Sequence, residues 1–430
     1  MSLLDDARRL AATGPVCDAC LGRVFADRSF GLTNAERGRS LRVAAALDDD
    51  EPFDPVDTAD CWVCEGRCTE FDDWAERAAE SVEAVEFATY QVGTRTPPLI
   101  EENERLLREE VGADADAGEP FKAEFNREVG KRVGRLTGTE VDFERPDVQF
   151  VLDLDADHVE TEINSAFVYG RYRKLERDIP QTEWPCRECG GAGYRDGEEC
   201  EHCDGAGYMY EESVEELVAP PIREAMEGAD ATFHGAGRED VDARMLGDGR
   251  PFVVEVSNPR TRSPDVAALQ AEIDDRAGGA VEVRELALAT YEMVERVKEL
   301  DASKTYRMDV TFSEPVEQTA FDAALSELDG ATIHQDTPQR VSHRRAAKTR
   351  VREVYDLSGT LEDETTASLD VHGEGGLYVK ELVSGDEGRT EPSLAGLLGV
   401  EATVTALDVI DVEGEDEPFA DEDYFRNVSD

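Results

Sequence analysis

Between Gly235 and Gly247 the chain reads Gly-Ala-Gly-Arg-Glu-Asp-Val-Asp-Ala-Arg-Met-Leu-Gly, and Gly249-Arg-Pro-Phe252 follows. Acid and base packed this closely between glycines can aim a carboxylate, Asp240 or Asp242, into a pocket, while Arg238 or Arg244 supplies charge to a substrate or to the fold. On chemistry alone a salt-bridged turn, or a cation held by Asp240, Asp242 and Asp248, fits the same letters. If the stretch is extended, the i,i+2 spacing puts Asp240 and Asp242 on one face, so one is free to react while the other acts as a structural ligand.

A second chemistry lies in nine cysteines, at positions 17, 20, 61, 64, 68, 186, 189, 200 and 203. Four Cys-x-x-Cys pairs in a chain with no segment that reads as an export signal favour thiolate ligation of a metal, zinc first, over structural disulfides. The sharper module is Cys186-x-x-Cys189-x-Gly-x-Gly followed by Cys200-x-x-Cys203-x-Gly-x-Gly, an internal duplication in which two knuckles supply one four-cysteine site. A redox dithiol is the alternative, but it has no need of two matching Gly-rich knuckles. Cys17, Cys20, Cys61 and Cys64 form a second candidate set across a long loop, with Cys68 read as a spare thiol. His202 reads as an outward-facing loop residue, because four thiolates already complete the knuckle site. One or two structural zinc ions are therefore expected. No phosphate-binding Gly-rich loop ending in Lys-Ser/Thr is found, and no organic cofactor is implied.

Three stretches carry concentrated positive charge. Residues 339–352 hold Arg340, Arg344, Arg345, Lys348, Arg350 and Arg352 with no acid among them, which suits a grip on RNA phosphates or, alternatively, a surface ion network whose acids come from distant sequence. Val168 to Lys174 interleaves Tyr169 and Tyr172 with Arg171, Arg173 and Lys174, a pattern that fits either base stacking or a strand edge. Phe121 to Leu136 is a net basic helix, readable as a salt-bridged surface or as an RNA-facing one.

These islands stand in a very acidic chain. Among 430 residues, 99 Asp plus Glu face 45 Lys plus Arg, a formal charge of -54, and only 7 of the bases are Lys. Such a surface resembles adaptation to molar salt, where the Debye length falls to roughly 3 Å and repulsion between spread acids becomes short-ranged. In dilute buffer the same charge should repel nucleic acid, so an RNA partner needs a local basic patch together with stacking and direct hydrogen bonds. The apolar share of 40% supports a folded core. No run of apolar residues is long enough for a membrane span, and a cytoplasmic protein is expected.

The elements that must position these groups read as α+β. Helices are expected at Leu3 to Ala12, Trp74 to Phe87, from Ser213 with Glu216 closing a capping box, and over about 287–300. Strands are expected at Val148 to Leu154, Phe252 to Val256, Val281 to Leu286 and Tyr306 to Phe312. In the last of these, Tyr306, Met308 and Val310 share a face. No strand leads into Gly-x-Gly-x-x-Gly, so an antiparallel sheet fits better than a dinucleotide-binding fold. The expected domains are a zinc module at 1–70, an RNA-binding domain at 71–180, a four-cysteine knuckle at 181–212 and a catalytic domain at 213–425.

Taken in order, Gly237-Arg-Glu-Asp240-Val-Asp-Ala-Arg-Met-Leu-Gly247, Thr305-Tyr-Arg307, His343-Arg-Arg345, Tyr378-Val-Lys-Glu-Leu382 and Gly385-Asp-Glu-Gly-Arg-Thr390 resemble the archaeal and eukaryotic family of tRNA pseudouridine synthases that act on the T arm. The resemblance spans nearly the whole chain. It implies a THUMP-containing RNA-binding region, a carboxy-terminal pseudouridine-synthase fold, and isomerisation of the uridines at tRNA positions 54 and 55 by an Asp nucleophile acting on an extruded base. It assigns the nucleophile to Asp240, with Asp242 as the competing carboxylate. Tyr306 is implied to stack on the base and Tyr378 to contact substrate. Leu407 is implied to pack below the base, and Arg344 and Arg345 to lie in the RNA-contacting loop. Lys380, on the face of Tyr378 if that segment is extended, is positioned to pair with the carboxylate and keep it charged. The expected partner is tRNA, with no DNA and no membrane, bound by a monomer. Two competitors remain. A THUMP-containing enzyme that thiolates or methylates tRNA would need an ATP or methyl-donor loop, and a non-catalytic tRNA-binding protein would not need the Asp240, Tyr306 and Lys380 set.

Overall fold

Two helices near the amino terminus begin at reciprocal side-chain caps. Ser2 and Asp5 form a reciprocal box on helix α1 (Leu3–Ala11), and Thr33 and Glu36 do the same on α3 (Asn34–Asp49), satisfying amide donors that the first turn leaves open. Between them lies the short α2 (Asp18–Arg23). The computed structural model describes residues 2–114, 117–300, 302–341, 348–414 and 421–426, and the chain divides into two compact units, 1–165 and 166–430.

In the first unit, α4 (Phe71–Glu80), α5 (Pro98–Glu110) and α6 (Phe121–Thr137) accompany a sheet of β1 (Thr89–Arg95), β2 (Glu140–Val141), β3 (Val148–Asp153) and β4 (His158–Ile163). Its order is β2-β1-β3-β4, with β1 parallel to both β2 and β3 and β4 antiparallel to β3. Helix α6 buries Phe121, Phe125, Val129 and Val133 at four-residue spacing against this core. Three of its five basic residues meet carboxylates: Arg127 pairs with Glu119 and Glu128, Lys131 with Glu128, and Arg132 with Asp72 and Glu128. Of the two readings of this helix, the salt-bridged surface is the one present at these positions.

The second unit opens with β5 (Ala166–Lys174), which lies between β9 (Arg244–Ser257) and β10 (Val281–Ala289) and pairs antiparallel with both. Residues 166–174, grouped by sequence with the 71–180 domain, thus belong to the carboxy-terminal sheet. The candidate RNA-binding stretch within them is interior. Tyr169, Arg171, Tyr172 and Lys174 are all buried, and Arg173 is tied to Glu282. A strand with neighbours on both edges has no free edge to offer a nucleic acid.

Next come the hairpin β6 (Tyr194–Arg195) and β7 (Glu198–Glu199) inside the cysteine knuckle, then α7 (Val214–Ala225), β8 (Asp230–Gly235), β9, α8 (Val266–Arg276), β10 and α9 (Tyr291–Glu299). The chain continues through β11 (Ala302–Phe312), α10 (Gln318–Leu328), β12 (Thr332–Asp336), β13 (Thr349–Asp363) and β14 (Thr366–Gly373). It closes with α11 (Val379–Ser384), β15 (Thr390–Glu391), α12 (Leu394–Leu398) and β16 (Ala402–Gly414). The sheet runs β10-β5-β9-β16-β11-β14-β13-β12-β15, with β8 on β9. It is antiparallel as expected except at one seam, where β9 and β16 run parallel through Arg244 opposite Asp408 and Met245 opposite Val409. At the seam Gly247 lies so close to β16 that a Cβ would stand 2.0 Å from the Ile410 carbonyl oxygen, so no larger residue fits without parting the strands.

Two cores flank this seam. One gathers Val168, Tyr172, Val254 and Ile273 with α7 and α8, and the other gathers Met308, Phe321, Leu325 and Leu369 with α10. Tyr306 packs against both. Among the described residues no helix is long and apolar enough to cross a membrane.

Candidate active site

The loop from Ala236 to Ala243 joins β8 to β9, and a polar network beneath it fixes its course. The Glu239 carboxylate is fully buried, 2.9 Å from the Arg250 guanidinium, and accepts the Tyr172 hydroxyl at 2.8 Å. Lys174, also without exposure, donates to the carbonyls of Ile179 at 2.8 Å, Val241 at 3.1 Å and Asp240 at 3.3 Å. Gln181 donates to the Tyr172 hydroxyl and the Gly237 carbonyl, and Arg250 to the Ala236 carbonyl at 2.6 Å. Burial pushes the Lys174 ammonium down and the neighbouring Glu239 charge opposes it, while burial beside the same carboxylate holds the Tyr172 phenol well above its usual range. Charges without water must be matched by charges or dipoles, and here nearly every partner is loop backbone or Glu239.

That foundation presents Asp240 and Asp242 toward one face. Lys380 Nζ lies 3.2 Å from Asp240 Oδ2 and 2.9 Å from Asp242 Oδ2. Arg340 Nη1 stands 3.2 Å from both Asp240 oxygens, with its Nε donating to the nearly buried Glu381 at 2.7 Å. Burial works against ionisation of Asp240, but Arg340 and Lys380 outweigh it and hold the carboxyl below its ordinary range. Asp240 lines a cleft of about 180 Å³ with Arg238, Tyr306, Tyr378, Lys380 and Leu407. Asp242, more open to solvent, is not among the residues lining it.

Tyr306 comes from β11, where its register neighbours are Val371 on β14 and Val409 on β16. Burial, with the Asp240 charge adding to it, pushes the phenol up to about 12. Leu407 on β16 is opposite Met308 and closes the apolar wall. Tyr378 and Lys380 do not lie on a strand. Tyr378 caps the six-residue helix α11, which ends at Gly385 with φ +77°. Buried Gln335 clamps Tyr378, accepting from its N–H and donating to its carbonyl, both at 2.9 Å. A single helical turn, rather than strand alternation, therefore brings Lys380 to the carboxylates.

The arginines divide their work. Arg244 goes to the fold, pairing with Asp408 at the seam, where Arg177 also meets Asp408. Arg238 lies at the cleft, its guanidinium 5.2 Å over the Trp184 ring. Arg340, expected to grip phosphate, is instead bound to carboxylates, and Arg352 pairs with Glu374. Arg350 lies 5.5 Å over the Tyr378 ring. Arg344 and Arg345 fall outside the described residues. Sequence reasoning missed the Glu239 network, and it missed Arg340 as a partner of Asp240. The absence of acid near Arg340 in sequence was a signal that its partners come from elsewhere.

Both cysteine groups are assembled, and they are the two sets of candidate metal ligands among the described residues. In the knuckle, Cys186 and Cys200 sulfurs are 3.8 Å apart, as are those of Cys189 and Cys203. A tetrahedron with Zn–S bonds of about 2.3 Å has edges of about 3.8 Å, so the donor set fits zinc. Gly193 and Gly207 donate N–H to Cys189 and Cys203 at 3.3 and 3.2 Å, and at each a Cβ would collide with a glycine carbonyl at 2.4 Å. The duplicated glycines thus serve the same turn twice. His202 is exposed, as read, yet its Nδ1 lies 3.4 Å from Cys186 Sγ.

In the amino-terminal group, Cys17, Cys20, Cys64 and Cys68 place their sulfurs within 4.8 Å of one another. Cys61 Sγ is 3.6 Å from Cys20 Sγ and accepts the Cys17 N–H at 3.2 Å. Cys68, read as a spare thiol, is part of the cluster. The one-turn helix Arg67–Thr69 carries it there, and buried Arg23 donates to its sulfur at 3.5 Å.

Comparison with known proteins identifies the family. A family model described as Pus10, C-terminal, matches residues 167–413, and one described as Pus10 THUMP domain, archaeal, matches residues 74–153. A relative from Halorubrum lacusprofundi named tRNA pseudouridine synthase Pus10 is 67% identical over 426 residues, covering 99% of this chain and 100% of its own length. Relatives of the same name from Methanothrix thermoacetophila and Pyrococcus furiosus are 46% and 36% identical, each over 96% of this chain and over 95% and 100% of their own lengths. The chain belongs to the Pus10 family.

Proposed function

We propose that this chain is a tRNA pseudouridine synthase that converts the uridines at positions 54 and 55 of the T arm, with Asp240 as nucleophile. The observation that carries the reading is a carboxylate kept ionised by two cations at 3.2 Å, facing a cleft walled by Tyr306, Tyr378 and Leu407. A uridine must leave the base stack to reach such a group. Its ring then fits between the Tyr306 ring and the Leu407 side chain, while Arg238 and Tyr378 meet the substrate at the cleft.

The reaction breaks the bond between ribose C1′ and uracil N1 and forms one between C1′ and C5. C5 loses a proton and N1 gains one, so atoms and electrons balance without a redox step. In this reading the Asp240 carboxylate attacks, then takes up the proton leaving the base, while Lys380 and Arg340 keep it charged and aimed. Asp242 shares Lys380 and fixes its ammonium. Thiols gathered as metal ligands suit the reducing cytoplasm.

The test is incubation with unmodified tRNA in high salt, followed by chemical mapping of pseudouridine. Asp240→Ala abolishes product at both positions, whereas Asp242→Ala retains it at a reduced rate. Unchanged conversion by Asp240→Ala removes the assignment, and conversion at other tRNA positions alone removes the T-arm reading. A tRNA binder without catalysis would retain the tRNA and leave every uridine unaltered.

A further inference from the structure

The amino-terminal cluster holds five sulfurs, one more than tetrahedral zinc takes. Cys17, Cys20, Cys64 and Cys68 form a mutually close set that leaves out Cys61. Yet Cys61 Sγ lies 3.6 Å from Cys20 Sγ and 3.2 Å from the Cys17 backbone nitrogen, next to the Cys17–Cys64 edge. Three sulfurs are therefore common to two possible quartets, one completed by Cys61 and the other by Cys68. The donors fit a zinc ion: Cys17 and Cys64 sulfurs are 3.9 Å apart and those of Cys20 and Cys61 3.6 Å, close to the about 3.8 Å edge of a zinc-thiolate tetrahedron.

We infer that this is a two-position site, in which the metal rests on the shared face of Cys17, Cys20 and Cys64 and takes its fourth thiolate from either Cys61 or Cys68, the fifth sulfur staying a neutral thiol. The two positions differ in surroundings. On the Cys68 side, Arg23, 1% exposed, donates to Cys20 Sγ at 3.2 Å and to Cys68 Sγ at 3.5 Å. Four thiolates around zinc leave a charge of about -2, and a buried guanidinium beside them offsets part of it. Glu124 at 2.8 Å keeps that guanidinium in place. On the Cys61 side a backbone dipole does the equivalent work, through the Cys17 N–H at 3.2 Å. Exchange of Cys61 for Cys68 would keep the charge of the site, because the thiol that joins would give up one proton and the one that leaves would take one, with no sulfur oxidised.

Zinc content of the purified full-length protein tests this. Wild type is expected to hold two zinc ions per chain, one in the knuckle and one here. Cys61→Ala and Cys68→Ala are each expected to keep two, Cys64→Ala and the double variant Cys61→Ala/Cys68→Ala only one. Cobalt substitution supplies a second readout, since the thiolate charge-transfer band scales with the number of sulfurs bound. Both single variants should match the wild-type intensity. A fall to one metal in either single variant, or its failure to accumulate as a folded chain, overturns the proposal and leaves an ordinary four-ligand site with a bystander thiol. Full metal content with a weaker band also overturns it, because water would then have replaced the missing sulfur.

Discussion

Lys380→Met separates the two jobs given to Lys380, holding Asp240 charged and holding it still. At 3.2 Å and an effective dielectric near 20, one ion pair corresponds to about 5 kcal/mol before desolvation. The Asp240 side chain is about a third exposed, so much of that is screened. Lys380 is one of two cations that hold the carboxyl down, and Arg340 remains as the second when Lys380 is removed. The sign follows from the active form being the anion. Asp240 is held below its usual value, so wild-type kcat/KM stays level as pH falls toward about 4. Removing Lys380 raises the pKa, and the unpaired Asp242 charge pushes it the same way. The acid limb should therefore move to higher pH. At pH 7 the carboxylate stays ionised, so any loss there reports aim alone. Misplacement by 1 Å costs about 100-fold, and a drop of about 10–100-fold is expected. The assay is single-turnover release of tritium from C5-labelled uridine in tRNA, measured from about pH 3 up to 8 in high salt so that the limb falls inside the window. An acid limb that stays in place in Lys380→Met refutes the electrostatic part of the reasoning, whatever happens to the rate at pH 7.

Tyr306→Phe keeps the ring and removes the hydroxyl, so KM should change little while kcat falls if the hydroxyl relays a proton. Because the phenol sits near 12, wild type should show no basic limb from this group below about pH 11, and a limb near 9 would contradict its burial. Glu239→Gln leaves the buried Arg250 and Lys174 charges short of their counterion and should lower the unfolding free energy of the second unit by about 3–5 kcal/mol in a denaturant titration. A loss under 1 kcal/mol would mean that water reaches those cations. Gly207→Ala forces a side chain into φ +83° with a carbonyl oxygen 2.4 Å away, and should reduce zinc from two ions per chain to one. Retention of both ions would show that the knuckle turn is not closed as described.

What the sequence disclosed and what it hid follow from the range of the interactions involved. The knuckle was legible because its ligands and turns repeat within a few residues, and Tyr306 with Met308 and Val310 because strand alternation is local. The buried network was not legible. Lys174 reaches 67 positions ahead to Val241, and Tyr172 as far to Glu239, so letters that look like an exposed basic stretch are interior charges with distant partners. The same distance disguised Arg340, whose carboxylates lie 100 residues before it and 41 after. Lys380 was foreseen as the partner of Asp240 for the wrong reason, since a helical turn and not a strand delivers it. Cys68 looked spare because it broke the pair pattern, and spacing carries no information about which way a one-turn helix points its sulfur.

The distribution of charge follows a physical division of labour. With a formal charge of -54 the chain as a whole repels phosphate, yet Arg238, Arg250, Lys304, Arg340 and Lys380 line the cleft against only Glu239 and Asp240. Most of these cations face carboxylates: Arg250 balances Glu239, while Arg340 and Lys380 surround Asp240. Their charge therefore serves the Asp240 and Glu239 carboxylates before it serves a bound phosphate. At molar salt the Debye length, about 3 Å, is the length of these ion pairs, so contacts within the cleft persist while the repulsion of the surrounding surface does not reach across it. Counterion release contributes little under the same conditions. In the proposed reading, affinity for an extruded base then rests on Tyr306, Tyr378 and Leu407, whose stacking and burial salt does not weaken. An acidic exterior and a nucleic-acid substrate are compatible because the solvent that makes the first tolerable also shifts recognition of the second from charge to contact.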